Sequence, residues 1–413
     1  MSIRISSDSN RRWFISIILS VLFLIFVALD SFAIYLVFSA RYPGAVDFYP
    51  LWNAARALTR EGRNPYDLSV AQEAQLAMRG RLMPPTEDQA ALAYPLYVIF
   101  FFWPLTFISY PAAQAVWMAM MQFALLAGVI LCMRTLRWQP PLWLVALTIF
   151  WGMFFYPATR ALILGQVATL VFALSALALW ALSERRDTLA GISLAMSTIK
   201  PHLVLPLVLL LLLYGAFKKR WAFVSSFSFS MVTLAGLALL WVPSWPLDFL
   251  HNSIIYVGYQ DYGSPVANLL DCFVPDTMLF LEFPLSIMLL ILMASTWLAL
   301  WRSGAGSLFW AVSITLIVSN LVALRSGSAN HVMLFLPLFV FFYRLDLNGT
   351  QNGLIALLQV FLSVLLWVLF LTTKGDDFEP LYMHGLLPAL LLVVYLLDRR
   401  NLQKTTRSME AAS

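Results

Sequence analysis

The chain is poor in charge and poor in cysteine. Of its 413 residues only 11% are Asp, Glu, Lys or Arg, less than half of what a soluble domain carries. That excludes an ordinary water-soluble globule. Its two cysteines, Cys132 in an apolar block and Cys272 in a polar stretch, form no C-x-x-C pair. A cysteine-based metal site is therefore not indicated, and a disulfide between them is not expected. The P-loop, HExxH, GxSxG and dinucleotide signatures are all absent, which leaves no ATPase or familiar hydrolase centre. There is no internal repeat and no low-complexity segment. The net charge of +5 arises from basic residues at the ends of apolar blocks, not from a basic patch for nucleic acid.

What is present is long apolar runs. The chain is 61% hydrophobic, with 31 Phe, 15 Trp and 15 Tyr. A membrane-spanning helix needs about 20 mostly apolar residues, and the sequence supplies roughly a dozen such blocks. The expected fold is an all-α polytopic membrane protein with about 12 transmembrane helices. The first run, Trp13 to Phe38, follows Arg4, Arg11 and Arg12. It exceeds the apolar core of about 7–15 residues in a signal peptide, so it reads as an uncleaved helix with a cytoplasmic N-terminus. The tail with Lys404 and Arg407 also reads as cytoplasmic.

The polar stretch 39–92 then forms an ordered first extracytoplasmic loop. Within it Phe48, Leu51, Trp52, Ala55 and Leu58 recur at helical spacing, which predicts an amphipathic helix suited to the membrane surface. A second is predicted over Val70 to Met78, and residues 244–276 read as a second outer loop. The segments Glu184–Asp187 and Lys218–Arg220 both look cytoplasmic, yet the apolar run between them is too short for two full crossings. It breaks at Lys200-Pro201-His202. A hairpin of two short helices with its tip towards the outer face is favoured. One long kinked helix, with Glu184–Asp187 outside, is the alternative.

Several residues carry candidate chemistry. Asp47, just outside the first helix, suits a general base towards a sugar hydroxyl; it equally suits a helix N-cap ahead of Pro50. Lys200, within an apolar block, either faces a polar cavity or snorkels to the interface. Arg160, His202 and His331 sit at comparable depth and with Lys200 would form a cationic cluster for a lipid phosphate, or serve singly as interfacial anchors. Gln166, Asn268 and Asn330 are further candidates. Asp30, deep in the first helix, is expected to bond a neighbouring Ser or Tyr. Asp67 reads as a turn or cap residue.

The stretch VDFYPLWNAARALTREGRNPYD at 46–67 resembles the hallmark of glycosyltransferase family 87, in the GT-C superfamily. AYPLYVIFFFWPLTFIS at 93–109, with Leu96 where the family has a second proline, resembles its YPP segment. GQVATLVFAL from Gly165, RRDTLAGISLAMSTIKPHLVLPLVLLLL at 185–212 and NHVMLFLPL from Asn330 resemble later blocks. The resemblance implies a GT-C catalytic transmembrane module over 1–345, followed by C-terminal helices and tail over 346–413. It implies Asp47 as base and Lys200, with Arg160, His202 and His331, as binders of the donor phosphate. The donor would be a polyprenyl-phosphate sugar, most simply mannose. The acceptor would be an envelope glycolipid or glycan, and transfer would be inverting at the extracytoplasmic face of a bacterial plasma membrane. No metal or other cofactor is expected. A transporter or flippase, with Asp30 and Lys200 as path charges, is the competing reading.

Overall fold

A computed structural model describes residues 6–42, 44–259, 263–274, 278–302, 307–324, 326–347, 351–373 and 379–411; Arg4 and Arg325 lie outside them. Among the described residues every regular element is helical. Six helices are long and apolar enough to cross a membrane: Trp13–Ser39, Tyr110–Thr135, Trp221–Trp241, Phe280–Arg302, Ser328–Asp346 and Asn352–Thr373. Leu142–Phe154 and Tyr156–Leu164, bent by 46°, make a seventh. Pro157 in the first turn of the second half enforces that bend. Five shorter apolar helices lie among these, including Ala168–Ser183, Pro201–Phe217 and Met383–Leu397. The protein is thus a polytopic all-α membrane protein, as its composition requires.

The hairpin reading holds. Asp187–Ser197 and Pro201–Phe217 are separate helices. Arg220 ties their distant ends together: its guanidinium donates to the Leu182 carbonyl at 2.8 Å and pairs with Asp187. Thr198 and Lys200 therefore sit at the tip, where the Tyr97 hydroxyl bonds to the Thr198 carbonyl at 3.1 Å. Asp187–Ser197 packs closely along Trp221–Trp241 because Gly191 has no side chain. A Cβ there would fall 2.5 Å from the Phe223 carbonyl oxygen and 2.7 Å from the Phe227 nitrogen.

The first loop contains both expected helices, Phe48–Glu61 and Leu68–Arg79. The first does not lie on the bilayer. Phe48, Leu51, Ala54 and Ala55 are buried inside the protein, and the Trp52 indole donates to the Leu105 carbonyl at 3.0 Å. The reason lies in the next segment. Leu96–Phe107, interrupted by 3-10 turns and Pro104, is too short to cross a bilayer and packs against the loop helix instead. Residues 244–276, expected as loop, contain helices Trp245–Tyr259 and Pro265–Phe273. Asn252 tethers the former to the Tyr66 and Leu92 carbonyls. Asp30 also departs from expectation. Its buried Oδ2 has no hydrogen-bond partner among the described residues, and the nearby Ser31 hydroxyl turns back to the Val27 carbonyl. Both cysteines are free.

The bundle has two distinct ends. Tyr110–Thr135 begins beside the first loop, where the Tyr110 hydroxyl donates to the Gly44 carbonyl. Beyond its far end, the Trp138 indole donates to Asp346 at 2.8 Å. Arg344 in turn meets Asp398 at 3.5 Å. Asp47, Lys200 and Asn330 share the first end.

The Gly191 contact gives a paired test of the packing between Asp187–Ser197 and Trp221–Trp241. Gly191→Ala should lower thermal stability in detergent by roughly 1–3 kcal/mol through overpacking. Gly236→Ala on the partner helix, where an added Cβ meets nothing within 4 Å, should be neutral or slightly stabilising. Equal stability of the two variants would contradict the packing described.

Candidate active site

Asp47 is fixed by its neighbours on both sides. Its N–H donates to the Leu164 carbonyl at 3.1 Å. The next residue, Phe48, is buried against Trp117, with near-parallel rings 5.7 Å apart. Trp117 also donates its indole N–H to the Gly165 carbonyl at 2.9 Å. Gly165 itself adopts φ +69°, and a Cβ on it would come within 2.6 Å of the Phe48 Cβ. Only glycine tolerates both the left-handed backbone and the close approach. This break between Tyr156–Leu164 and Ala168–Ser183 swings Gln166 towards the first loop.

Gln166 is the centre of the site. Its Nε2 donates to Asp47 Oδ2 at 2.8 Å. Its Oε1 accepts from Lys200 Nζ at 3.0 Å. Lys200 donates a second bond, at 2.8 Å, to Asn330 Oδ1. Asn330 is oriented by its own Nδ2, which donates to the Ser326 hydroxyl at 3.0 Å. Four elements thus bring one carboxylate and one ammonium to opposite sides of a single amide. Lys200 is buried, at 4% exposure, so its charge needs an anion nearby. Asp47 supplies one. An ammonium has three N–H donors, and two are engaged here.

Asp47 occupies the N-cap position of Phe48–Glu61, but its side chain makes no cap hydrogen bond. The capping reading is therefore not realised. Burial raises the Asp47 carboxyl above the usual carboxylate range. The Gln166 N–H and the charges of Lys200 and Arg160 act against this, while Asp88 adds to it. A raised carboxylate is a better proton acceptor near neutral pH.

The expected cationic cluster is divided in two. His202 follows Lys200 in the first turn of Pro201–Phe217 and is exposed there. Arg160 and His331 belong to a second, adjoining cluster built around Glu379. The Glu379 carboxylate pairs with Arg160 Nε at 3.2 Å and with His384 Nε2 at 3.3 Å. It also accepts from the Tyr156 and Ser328 hydroxyls, each at 2.5 Å. Burial opposes ionisation of Glu379, but the bonds from His384, Ser328 and Tyr156 outweigh it and hold the carboxyl down to about 2. Asn268 Nδ2 donates to His384 Nδ1 at 3.1 Å. His384 therefore accepts at Nδ1 from Asn268 and faces Glu379 with Nε2. Buried His331 donates its Nε2–H to the His384 carbonyl at 2.8 Å. The charge of Arg160 is therefore matched by Glu379.

The two clusters share the 3-10 segment Ser328–Leu334. Asn330 holds Lys200, Ser328 holds Glu379, and His331 holds the chain at His384. Glu379, His384, Tyr156 and Ser328 were not anticipated from sequence. The one available signal was a histidine and a glutamate flanking the start of an otherwise apolar helix, Met383–Leu397.

The polytopic bundle thus carries, at one end, a carboxylate and a buried ammonium joined by one amide. The sequence profile of glycosyltransferase family 87 matches residues 92–319, more than half of the chain. The chain belongs to this family and is a membrane glycosyltransferase. The matched span contains Arg160, Gln166 and Lys200; it begins after Asp47 and ends before Asn330. No match was found among curated proteins or solved structures.

The ion pair can be isolated by a double-mutant cycle. Glu379→Gln leaves the Arg160 charge without its carboxylate, and should destabilise the protein more with Arg160 present than in an Arg160→Met background. A coupling of about 1–3 kcal/mol in thermal unfolding is expected. Additive effects would show that the pair contributes nothing.

Proposed function

We propose that the protein transfers a sugar, most simply mannose, from a polyprenyl-phosphate donor to an envelope glycolipid or glycan. Asp47 acts as general base and transfer inverts the anomeric centre. The acceptor oxygen attacks the anomeric carbon while Asp47 takes its proton. The bond from that carbon to the phosphate oxygen breaks, and the phosphate leaves towards Lys200, whose third N–H faces the developing charge. Stabilising charge that appears only in the transition state accelerates such a reaction more than any other single effect. The positive compensation is assigned to the lysine, with no metal invoked.

The observation that carries this reading is the Asp47–Gln166–Lys200 chain of hydrogen bonds at 2.8 and 3.0 Å. A carboxylate and an ammonium lie one glutamine apart, which supports a reading in which one serves attack on a carbon and the other departure from it. Gln166 donates to the base and accepts from the cation, so neither can rotate away without breaking a bond. Family membership supports transfer over transport. The active end is read as extracytoplasmic because exposed basic residues, Arg399, Arg400 and Lys404 among them, gather at the opposite end.

Purified protein in lipid, labelled polyprenyl-phosphate-mannose and a crude envelope lipid extract provide the test. Wild type should form labelled product, and Asp47→Asn should reduce the rate by about 10²–10⁴-fold. The base must be ionised, and burial raises its pKa. The rate should therefore fall as pH drops through a value above the usual carboxylate range, and Asp47→Asn should lose that acidic limb. Equal product from both forms would remove Asp47 from the mechanism. No product from any polyprenyl-phosphate sugar would overturn the donor assignment.

A further inference from the structure

The end of the bundle opposite the active site carries a second polar site that the transfer reaction does not use. Helix Arg399–Ala411 follows Met383–Leu397 after a break at Asp398. Leu402, Thr406 and Met409 are buried and hold it beneath the bundle, while Arg399, Arg400, Lys404 and Arg407 are exposed. Between this helix and the end of Phe335–Asp346 lies an open cavity of about 300 Å³, lined by Arg344, Leu347, Asn401, Lys404, Thr405 and Ser408.

Two of the lining residues are cations and three more are polar. Arg344 is steered by Asp398, whose carboxylate lies 3.5 Å from its Nε and also accepts from Asn401 Nδ2 at 2.5 Å. One carboxylate is thus shared between two lining side chains, while Lys404 forms no ion pair among the described residues. Leu347 adds an apolar rim and is 47% exposed. Cationic and hydroxyl walls with an exposed leucine at the mouth fit an amphiphile better than a free ion. The site lies where the ends of the apolar helices reach the headgroup layer, at the positively charged end of the protein. There, anionic lipid gains about 1 kcal/mol per Lys or Arg.

We infer that this cavity binds the phosphate of an anionic membrane phospholipid. The phosphate lies between Lys404 and Arg344, the second N–H of the Asn401 amide offers a hydrogen bond, and the acyl region rests on Leu347. The site is distinct from the one assigned to the donor phosphate, at the other end of the bundle.

Native mass spectrometry of the full chain in detergent tests it, with phosphatidylglycerol and phosphatidylcholine of identical acyl chains as probes. Wild type should retain phosphatidylglycerol preferentially. Lys404→Gln with Arg344→Gln should weaken that retention by about tenfold or more. Lys404→Gln alone alters only an exposed side chain, so its smaller loss is read without risk to folding. Arg81→Gln, an exposed residue paired with Glu87 in the first loop, should retain the lipid as wild type does. Equal retention of both lipids, or unchanged retention in the Lys404→Gln variants, overturns the site. Displacement of the lipid by an equal concentration of inorganic phosphate overturns the lipid as its occupant.

Discussion

The structure turns on one amide. Gln166 joins Asp47 to Lys200 by donating at 2.8 Å on one side and accepting at 3.0 Å on the other. A buried ammonium without an anion nearby would be strongly unfavourable, and a carboxylate in direct contact with it would be drawn down and lose basicity. A neutral spacer meets both constraints. It keeps the charges close enough to compensate each other and far enough apart for the carboxylate to stay raised. The spacer also has only one such orientation, since its amide must present N–H to the Asp47 carboxylate and oxygen to the Lys200 ammonium. The rest of the fold can be understood as holding that orientation.

Each support is local and physically cheap. Gly165 lets the chain reverse where any side chain would strike Phe48. Pro201 starts a new helix immediately after Lys200, so the lysine is at a hairpin tip rather than inside a continuous hydrogen-bonded helix. Tyr97 pins the tip through Thr198. The 3-10 segment Ser328–Leu334 brings Asn330 to Lys200, and the Glu379 cluster fixes that segment through Ser328 and His331. Residues beyond 345 thus help to hold the active end, although none of those described hydrogen-bonds to Asp47, Gln166 or Lys200. Arg160 and His331 sit within this scaffold: the charge of Arg160 faces Glu379, and His331 donates to the His384 carbonyl.

How much of this was legible in the sequence depended on range. The hairpin was readable because two basic clusters flank an apolar run too short for two crossings and a proline follows a lysine at its middle. Those are local facts. Asp47 was visible as an acid at a helix start, but whether it capped the helix depended on Gln166, 119 residues away. Gln166 and Asn330 were visible as polar residues beside apolar blocks, without any sign that both would meet one lysine. Glu379 and His384 were passed over because their partners, Arg160, Tyr156 and Asn268, lie more than a hundred residues away. The surface role expected of the first-loop helix failed for a related reason. Its apolar face has the period of a membrane-lying helix, and period alone does not distinguish lipid from the protein's own short segment Leu96–Phe107.

The two ends of the bundle treat charge in opposite ways, and this follows from what each must exclude. At the active end the charges occur in compensated sets: Asp47 with Lys200, and Glu379 with Arg160. The Lys200 ammonium there is already partly balanced by Asp47, and two of its three N–H donors are engaged. At the other end Arg399, Arg400, Lys404 and Arg407 are exposed, and compensation is left to the lipid surface. An unpaired cation in the interior would be costly, whereas at the headgroup layer it is attracted to anionic lipid and orients the protein. The same residue types therefore perform different work according to depth. Burial selects pairing, precision and chemistry, while exposure selects orientation and attachment.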